Sequence, residues 1–443
     1  MYQRFVAILT PARAAVVSFI IVCLAHAILI YIAGVDVPMW DSWDAEADWY
    51  ARILSGNTNW QALVSPHNEH RILFTRIFNG MIFTALGGWH PLVVMYAQIL
   101  PISACVAVIM HALFSFAGAW RMWAGGFTLL AFTLPFSWGN ILSCFQNQFY
   151  FMLLFGIVAL RCAALGRSPI AYVTAVLLAL VSPFTMAGGI GTIITVFILL
   201  LVRSWQAPTH RFFLLSLLVI LVLGGGAHWF HMVHVPGHDA LRAQDKIELM
   251  VSILRIVSWP QVPIGIILWG VCFWGLIRNV RMAVTLGHWL RTLNGQQLFL
   301  GGMAGWWFLQ AIATAATRTH ADLMTSRYQQ TFALAIPLFF LFFQLFDFPS
   351  YSRRLALAMS LILLLGLTVR MVKEWPHFKK SVNEARYART AIIEAYKNQD
   401  FVTLKSKEKD GALGYFNADR IWARVQEPLL RGRHLWLNEV NKK

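Results

Sequence analysis

The sequence predicts an all-α polytopic membrane protein with about eleven transmembrane helices, in a range of about ten to thirteen. Three observations carry this expectation. Of the 443 residues, 58% are hydrophobic and 13% charged, which is too apolar for a soluble domain. The apolar residues fall in runs of spanning length, punctuated by charge, Pro and Gly. The cations recur at alternate ends of those runs, as the positive-inside rule asks.

The first run, about residues 14 to 34, follows Arg4 and Arg13. Its cleavage-like Ala25-His26-Ala27 lies in mid-run, so an uncleaved first helix is expected rather than a signal peptide. Further runs fall at roughly 91 to 118, 124 to 138, 149 to 165, 169 to 186, 189 to 203, 212 to 234, 261 to 277, 297 to 316, 329 to 347 and 354 to 372. With the N-terminus cytoplasmic, the inner turns receive Arg121, Arg161, Arg167, Arg203, Arg211, Arg278, Arg281, Arg291, Arg353 and Arg354. The opposite face then holds the loop 35–76 and, for an odd number of spans, the polar tail 373–443. Residues 1–372 thus form the membrane domain, and the tail a small, mostly helical extracytoplasmic region.

A net charge of +16 is scattered between apolar runs, a distribution suited to anionic lipid rather than nucleic acid. Cys23, Cys105, Cys144, Cys162 and Cys272 lie in or beside apolar runs without paired spacing. They are core thiols on this pattern, with neither a disulfide framework nor a zinc site.

The loop 35–76 concentrates the acid. Asp36, Asp41, Asp44, Glu46, Asp48 and Glu69 lie in it, and the next carboxylate is Asp239. A helix over 41–54 places Asp41, Asp44 and Asp48 at i, i+3 and i+7 on one face, with Trp40, Trp43, Trp49 and Tyr50 as interface-seeking aromatics. Capping and solvation of a surface helix is the plain account. The sharper one is a general base that deprotonates an attacking hydroxyl at headgroup level. The same loop ends in His67, Glu69, His70, Arg71 and Arg76. An Arg fork can hold a phosphate oxygen, the histidines can donate to a sugar or phosphate, and the plain account is headgroup snorkelling. No cofactor is indicated; the His67, Glu69 and His70 spacing admits a divalent cation.

Later outer loops add Arg318, His320, Arg327 and Tyr328. A cation bordering an apolar segment is costly unless it pairs or lines a cavity; a structural pair between Arg327 and Asp322 is the plain alternative. Asn140, Gln146, Asn147 and Gln148 are neutral donors suited to sugar hydroxyls or to interhelical bonding. His228, His231 and His234 drift around a helix, and with His238 they lack a matched Asp, Glu or Cys set; a mobile outer loop is expected in preference to a metal site.

Together these loops resemble the C-type glycosyltransferase superfamily, polytopic enzymes that use lipid-phosphate-linked sugars. The resemblance is carried by Asp41, Asp44, Glu46 and Tyr50 after the first span, by Pro66 and Arg71 before the next helix, and by Arg327 and Tyr328 with Pro337 some ten residues on. It implies a first-loop Asp, Asp41 or Asp44, as catalytic base, with Arg71, Arg327, Tyr328 and Arg318 on the donor phosphate. Sugar and acceptor contacts would then come from His67, Glu69, His70, Asp48, Gln146, Gln148 and His320. The implied donor is a polyprenyl-phosphate sugar and the acceptor a cell-envelope glycan or protein. The implied location is a bacterial inner membrane, with the site and C-terminus periplasmic. Two departures stand: Asp-Glu adjacency is replaced by Asp41-Ser42-Trp43-Asp44, and the usual Lys is Arg71.

A transporter or flippase is the main rival. It is expected to carry ionisable residues near span centres and an internal repeat, and these runs are nearly free of Asp, Glu and Lys. A glycan polymerase or ligase would keep its key cations in a large late loop, and a scaffold would leave the acid cluster unexplained.

Overall fold

The computed structural model describes residues 9–116, 120–282, 286–345, 352–408, 413–415 and 417–438. Arg4, the end of the predicted run 329 to 347, and the side chains of Arg278, Arg281 and Arg353 lie outside the described residues.

The protein is all-α. Helices α1 Pro11–Ala33, α2 Ser42–Leu54 and α3 Trp60–Val64 precede a two-stranded antiparallel hairpin, β1 Pro66–His67 and β2 His70–Arg71. Then come α4 Leu73–Leu86, α5 Pro91–Ala97, α6 Ile99–Phe114, α7 Trp120–Thr133, α8 Trp138–Ile141, α9 Asn147–Leu165, α10 Pro169–Val181, α11 Ile190–Gln206 and α12 Arg211–Phe230. The chain continues through α13 Lys246–Val257, α14 Ile264–Met282, α15 Leu286–Thr292, α16 Gly295–Arg318, α17 Ser326–Ala333, α18 Ala335–Leu345, α19 Ser352–Asn398, α20 Phe401–Glu408, α21 Ala418–Gln426 and α22 Leu435–Asn438.

Six helical stretches among the described residues are long and apolar enough to cross a membrane: Pro11–Ala33, Pro91–Phe114, Asn147–Leu165, Ala187–Gln206, Pro208–Phe230 and Gly295–Arg318. Shorter apolar helices occupy Leu73–Leu86, Pro169–Phe184 and Ile264–Ile277. Caps fix several starts: Thr10 accepts from the Arg13 N–H ahead of Pro11, and Asn294 forms a capping box with Gln297 at α16.

Two cores result. The bundle core joins Phe132, Tyr150, Leu200, Trp306, Trp307 and Phe339. A second core builds a layer at one end of the bundle, where Trp43 and Tyr50 of the first loop and Trp89 after α4 meet Ile392, Ile421 and Trp436 of the tail. Trp43 packs edge-on against Trp89 and Trp436 at centroid distances of 5.7 and 6.1 Å, and Tyr50 stacks on Phe83 at 4.2 Å. The first loop and the tail therefore share one side of the bundle.

Three features differ from the sequence expectation. Trp43, Trp49 and Tyr50 are buried, Trp43 against Trp89 and the tail's Trp436 and the other two against α4, where interface anchors were expected. Helix α4 belongs to the end layer: Trp49 Nε1 donates to the Arg76 carbonyl near its start, and Phe83 packs under Tyr50 near its end. Both ends thus lie against the first loop, so the helix runs along that layer. Finally, α19 continues through the expected boundary at 372/373 and even through Pro376; composition changes there while the backbone stays helical.

Candidate functional site

The hairpin and the start of α17 converge beneath the end layer. A cavity of about 280 Å³ lies between them, lined by Asp41, His67, Glu69, His70, Gln146, Gln148, Arg318, Arg327 and Tyr328, with Phe145, Phe149, Met186, His238 and Asp322. Nine of the thirteen candidate residues thus share one space.

Asp41 stands at the N-cap of α2, yet its side chain makes no capping hydrogen bond, and it lines this cavity together with the adjoining one. The other carboxylates of the cluster are engaged. Asp36 accepts from the Leu92 N–H at 2.9 Å and pairs with His90 at 3.1 Å. Asp44 takes Arg420 Nε at 2.8 Å and the Tyr415 hydroxyl at 2.5 Å. Asp48 pairs with Arg424 and, at 3.6 Å, with Arg420. Glu46 is buried and accepts from Tyr50 at 2.8 Å, Asn79 at 2.9 Å and the Cys144 thiol at 2.9 Å. Burial pushes the Glu46 carboxyl up against the pull of those hydrogen bonds. The i, i+3, i+7 spacing therefore splits: Asp44 and Asp48 face the tail, and Asp41 faces the cavity.

Glu69 holds Arg318 and accepts from His238 at 2.7 Å. Burial pushes its carboxyl up, but the Arg318 bond and the neighbouring cations outweigh it and hold the group at about 2. Desolvation lowers the half-buried His70 imidazole to about 4 despite the Glu69 charge, and lowers His67 despite Asp41. Both rings are therefore neutral donors or acceptors at pH 7.

Arg327 is placed by a close contact. Gly139 stands so near Ser326 that a Cβ would meet its Oγ at 2.3 Å. That approach lets the Gly139 N–H donate to Ser326 Oγ at 3.2 Å, and Asn140 Nδ2 to the Arg327 carbonyl at 2.8 Å. The guanidinium lies 5.9 Å from the Tyr328 ring centroid. Among the described residues it pairs with no carboxylate, Asp322 included.

The remaining candidates lie elsewhere. Asp44 and Asp48 hold the tail. Arg71 donates to the Val64 and His231 carbonyls at 2.8 and 2.9 Å, bracing the hairpin against the histidine loop. His320 pairs with Glu248 at 3.2 Å. The expected mobile histidine segment is tied to the first loop through Arg71 and the Glu69–His238 pair. Among the described residues no group of three His, Cys, Asp or Glu side chains is disposed to hold a metal ion.

Sequence reasoning missed the neighbouring spaces. An apolar chamber of about 200 Å³ adjoins the cavity through Glu69, His70, Phe149, Met186, Arg318 and Tyr328, and is walled further by Met152, Met232, Val233 and Phe332. Toward the tail, a space of about 420 Å³ shares Asp41, Gln146, Thr325 and Arg327 and adds Trp40, Trp138, Glu384 and Tyr415. The tail residues that wall this space, Glu384, Gly414 and Tyr415, carried no sequence signal that placed them there.

Comparisons with protein-family models, with curated proteins and with solved structures returned no match to this chain.

Proposed function

We propose that the protein is an inverting glycosyltransferase of the C type, with about eleven spans, transferring a sugar from a polyprenyl-phosphate donor to a cell-envelope acceptor. Its site would face the periplasm from a bacterial inner membrane. The observation that carries this proposal is the pairing in one cavity of a carboxylate and a guanidinium without described ionic partners, Asp41 and Arg327, with an apolar chamber opening off that cavity. Asp41 is half-buried and Arg327 is exposed, both line the same space, and a reaction that takes a proton from the acceptor on one side and releases a phosphate on the other gives both a role.

In this mechanism Asp41 takes the proton of the acceptor hydroxyl as its oxygen bonds to the anomeric carbon. The bond from that carbon to the phosphate oxygen breaks, its electron pair leaves with the polyprenyl phosphate, and the anomeric centre inverts. Arg327, with Arg318 behind it, stabilises the charge developing on the leaving phosphate. Neutral His67 and His70, with Gln146 and Gln148, hydrogen-bond the sugar. Asp44 takes the positioning role, anchoring α2 to the tail. Arg71 supports the hairpin.

The test is transfer of labelled sugar from polyprenyl-phosphate donors by the wild type and by Asp41→Asn in membranes. Loss of the base is expected to lower the rate by about 10²- to 10⁴-fold with donor binding retained. Undiminished transfer by Asp41→Asn removes that residue from the role.

A further inference from the structure

Beyond Asp41 the 420 Å³ space opens into a second one of about 520 Å³, sharing Trp40, Trp138, Thr325, Ser326 and Glu384 with it. Both volumes fall in the range of small-molecule sites, roughly 300–1,000 Å³. The far wall is one face of α19, where Arg370, Lys373, His377, Lys380 and Glu384 recur at helical spacing.

The Trp138 ring and the Trp40 backbone are fixed. Trp138 Nε1 donates to Glu374 Oε2 at 3.3 Å, and its ring meets Phe378 edge-on at 6.4 Å. Trp40 has φ 50, the left-handed region that a bulky residue enters only at a cost of roughly 1–3 kcal/mol. Its N–H donates to the Gly414 carbonyl at 2.9 Å, so the tail holds the strained residue immediately before Asp41.

The charges of the outer chamber are balanced. Arg370, Lys373 and Lys380 face Asp322, Glu374 and Glu384. Arg370 and Glu374 satisfy one another at 2.6 Å, whereas Lys380 stands 3.8 Å from Glu384 and is largely exposed. Lys373, His377, Ser381 and Glu384 thus offer interleaved donors and acceptors beside two aromatic faces. A polyanion would be repelled by Asp322 and Glu384. An apolar peptide side chain would leave the polar groups unpaired. A sugar ring meets both demands, since its C–H face lies on an indole while its rim of hydroxyls both donates and accepts.

Building on the transferase function proposed above, we propose that the acceptor is an oligosaccharide of two or more units, laid along the cleft against Trp138 and Trp40, with its attacking hydroxyl at Asp41. The donor then reaches the carboxylate from the apolar chamber and the acceptor from the tryptophan cleft.

The experiment is binding of the full chain in lipid nanodiscs to an array of di- to hexasaccharides bearing hexose, aminosugar and uronic acid ends. Wild type, D41N, Trp138→Ala, Trp138→Phe and Lys373→Ala are compared, each checked by thermal melting. Wild type is expected to retain at least one oligosaccharide. Trp138→Ala weakens that binding tenfold or more, Trp138→Phe less, and Lys373→Ala measurably. No binding above empty nanodiscs, or equal binding by Trp138→Ala and Lys373→Ala, overturns the proposal. Transfer to a peptide without glycan binding sinks this inference and leaves the transferase standing; tryptophan-dependent glycan binding with an active D41N enzyme does the reverse.

Discussion

Replacing Asp44 by Asn separates the two first-loop aspartates. The substitution keeps the shape and removes the charge that receives Arg420 Nε at 2.8 Å and the Tyr415 hydroxyl at 2.5 Å. Hydrogen bonds to charged groups contribute about 1.5–3 kcal/mol. The Asp44 and Arg420 side chains are 31% and 39% exposed, however, and exposed pairs contribute about 0–1 kcal/mol. A loss of about 1–1.5 kcal/mol in tail docking follows, and because about 1.4 kcal/mol is tenfold, the undocked fraction rises about five- to twelvefold. Hydrogen exchange of the α21 amides, Ala418–Gln426, reads that fraction directly. Transfer is expected to fall by less than about threefold, because the tail still docks in most molecules. A 10²-fold loss of transfer with unchanged α21 exchange would refute the reasoning and put the Asp44 carboxylate at the chemistry.

Glu69→Gln removes a carboxylate held at about 2 against an ordinary 4.5. Its stabilisation is complete above about pH 4.5 and is lost as pH falls toward 2, so the Tm gap between wild type and Glu69→Gln is expected to be wide at pH 6 and narrower at pH 3. His70, lowered from 6.5 to about 4, binds its proton more readily unfolded; it contributes stability that is lost as pH falls from 6.5 toward 4. His70→Asn is therefore expected to flatten the decline of Tm over that interval. Arg327→Gln is expected to lower kcat by tenfold or more, about 1.4 kcal/mol of leaving-group stabilisation, without changing the acceptor KM; an acceptor effect alone would reassign the residue.

Much of the architecture was legible because the bilayer demands long apolar helices. Pro11–Ala33, Asn147–Leu165 and Gly295–Arg318 announce themselves by composition. Helix α4 did not: its fourteen residues carry Arg76 and Asn79, too short and too polar to read as a span and too apolar to read as a loop. Arg76 explains its place. Its guanidinium reaches the Ala62, Leu63 and Ser65 carbonyls, satisfying the backbone where the chain turns from α3 to the hairpin, a long-range use of charge that periodicity does not encode. The continuity of α19 was hidden for a related reason, since hydropathy reports the surroundings of a helix and not its end.

At the site, residue types were legible and partners were not. Three acids at helical spacing looked like one face with one purpose, and nothing local distinguishes Asp41 from Asp44. What separates them is Arg420 and Arg424, more than 370 residues downstream of Asp44 and Asp48, which neutralise the two outer carboxylates and leave the third to the cavity. The same docking brings Gly414 onto the Trp40 N–H and Tyr415 into the chamber wall. The tail thereby supplies both the counter-charge that sorts the acids and the clamp that holds the residue before Asp41. If Asp41 is the base, its position depends on the tail at two points, and shortening the chain before Leu413 should cost activity even though every span remains. Membrane preparations of such a truncation, matched for expression, would show it: transfer at the wild-type rate would mean that α2 holds Asp41 unaided.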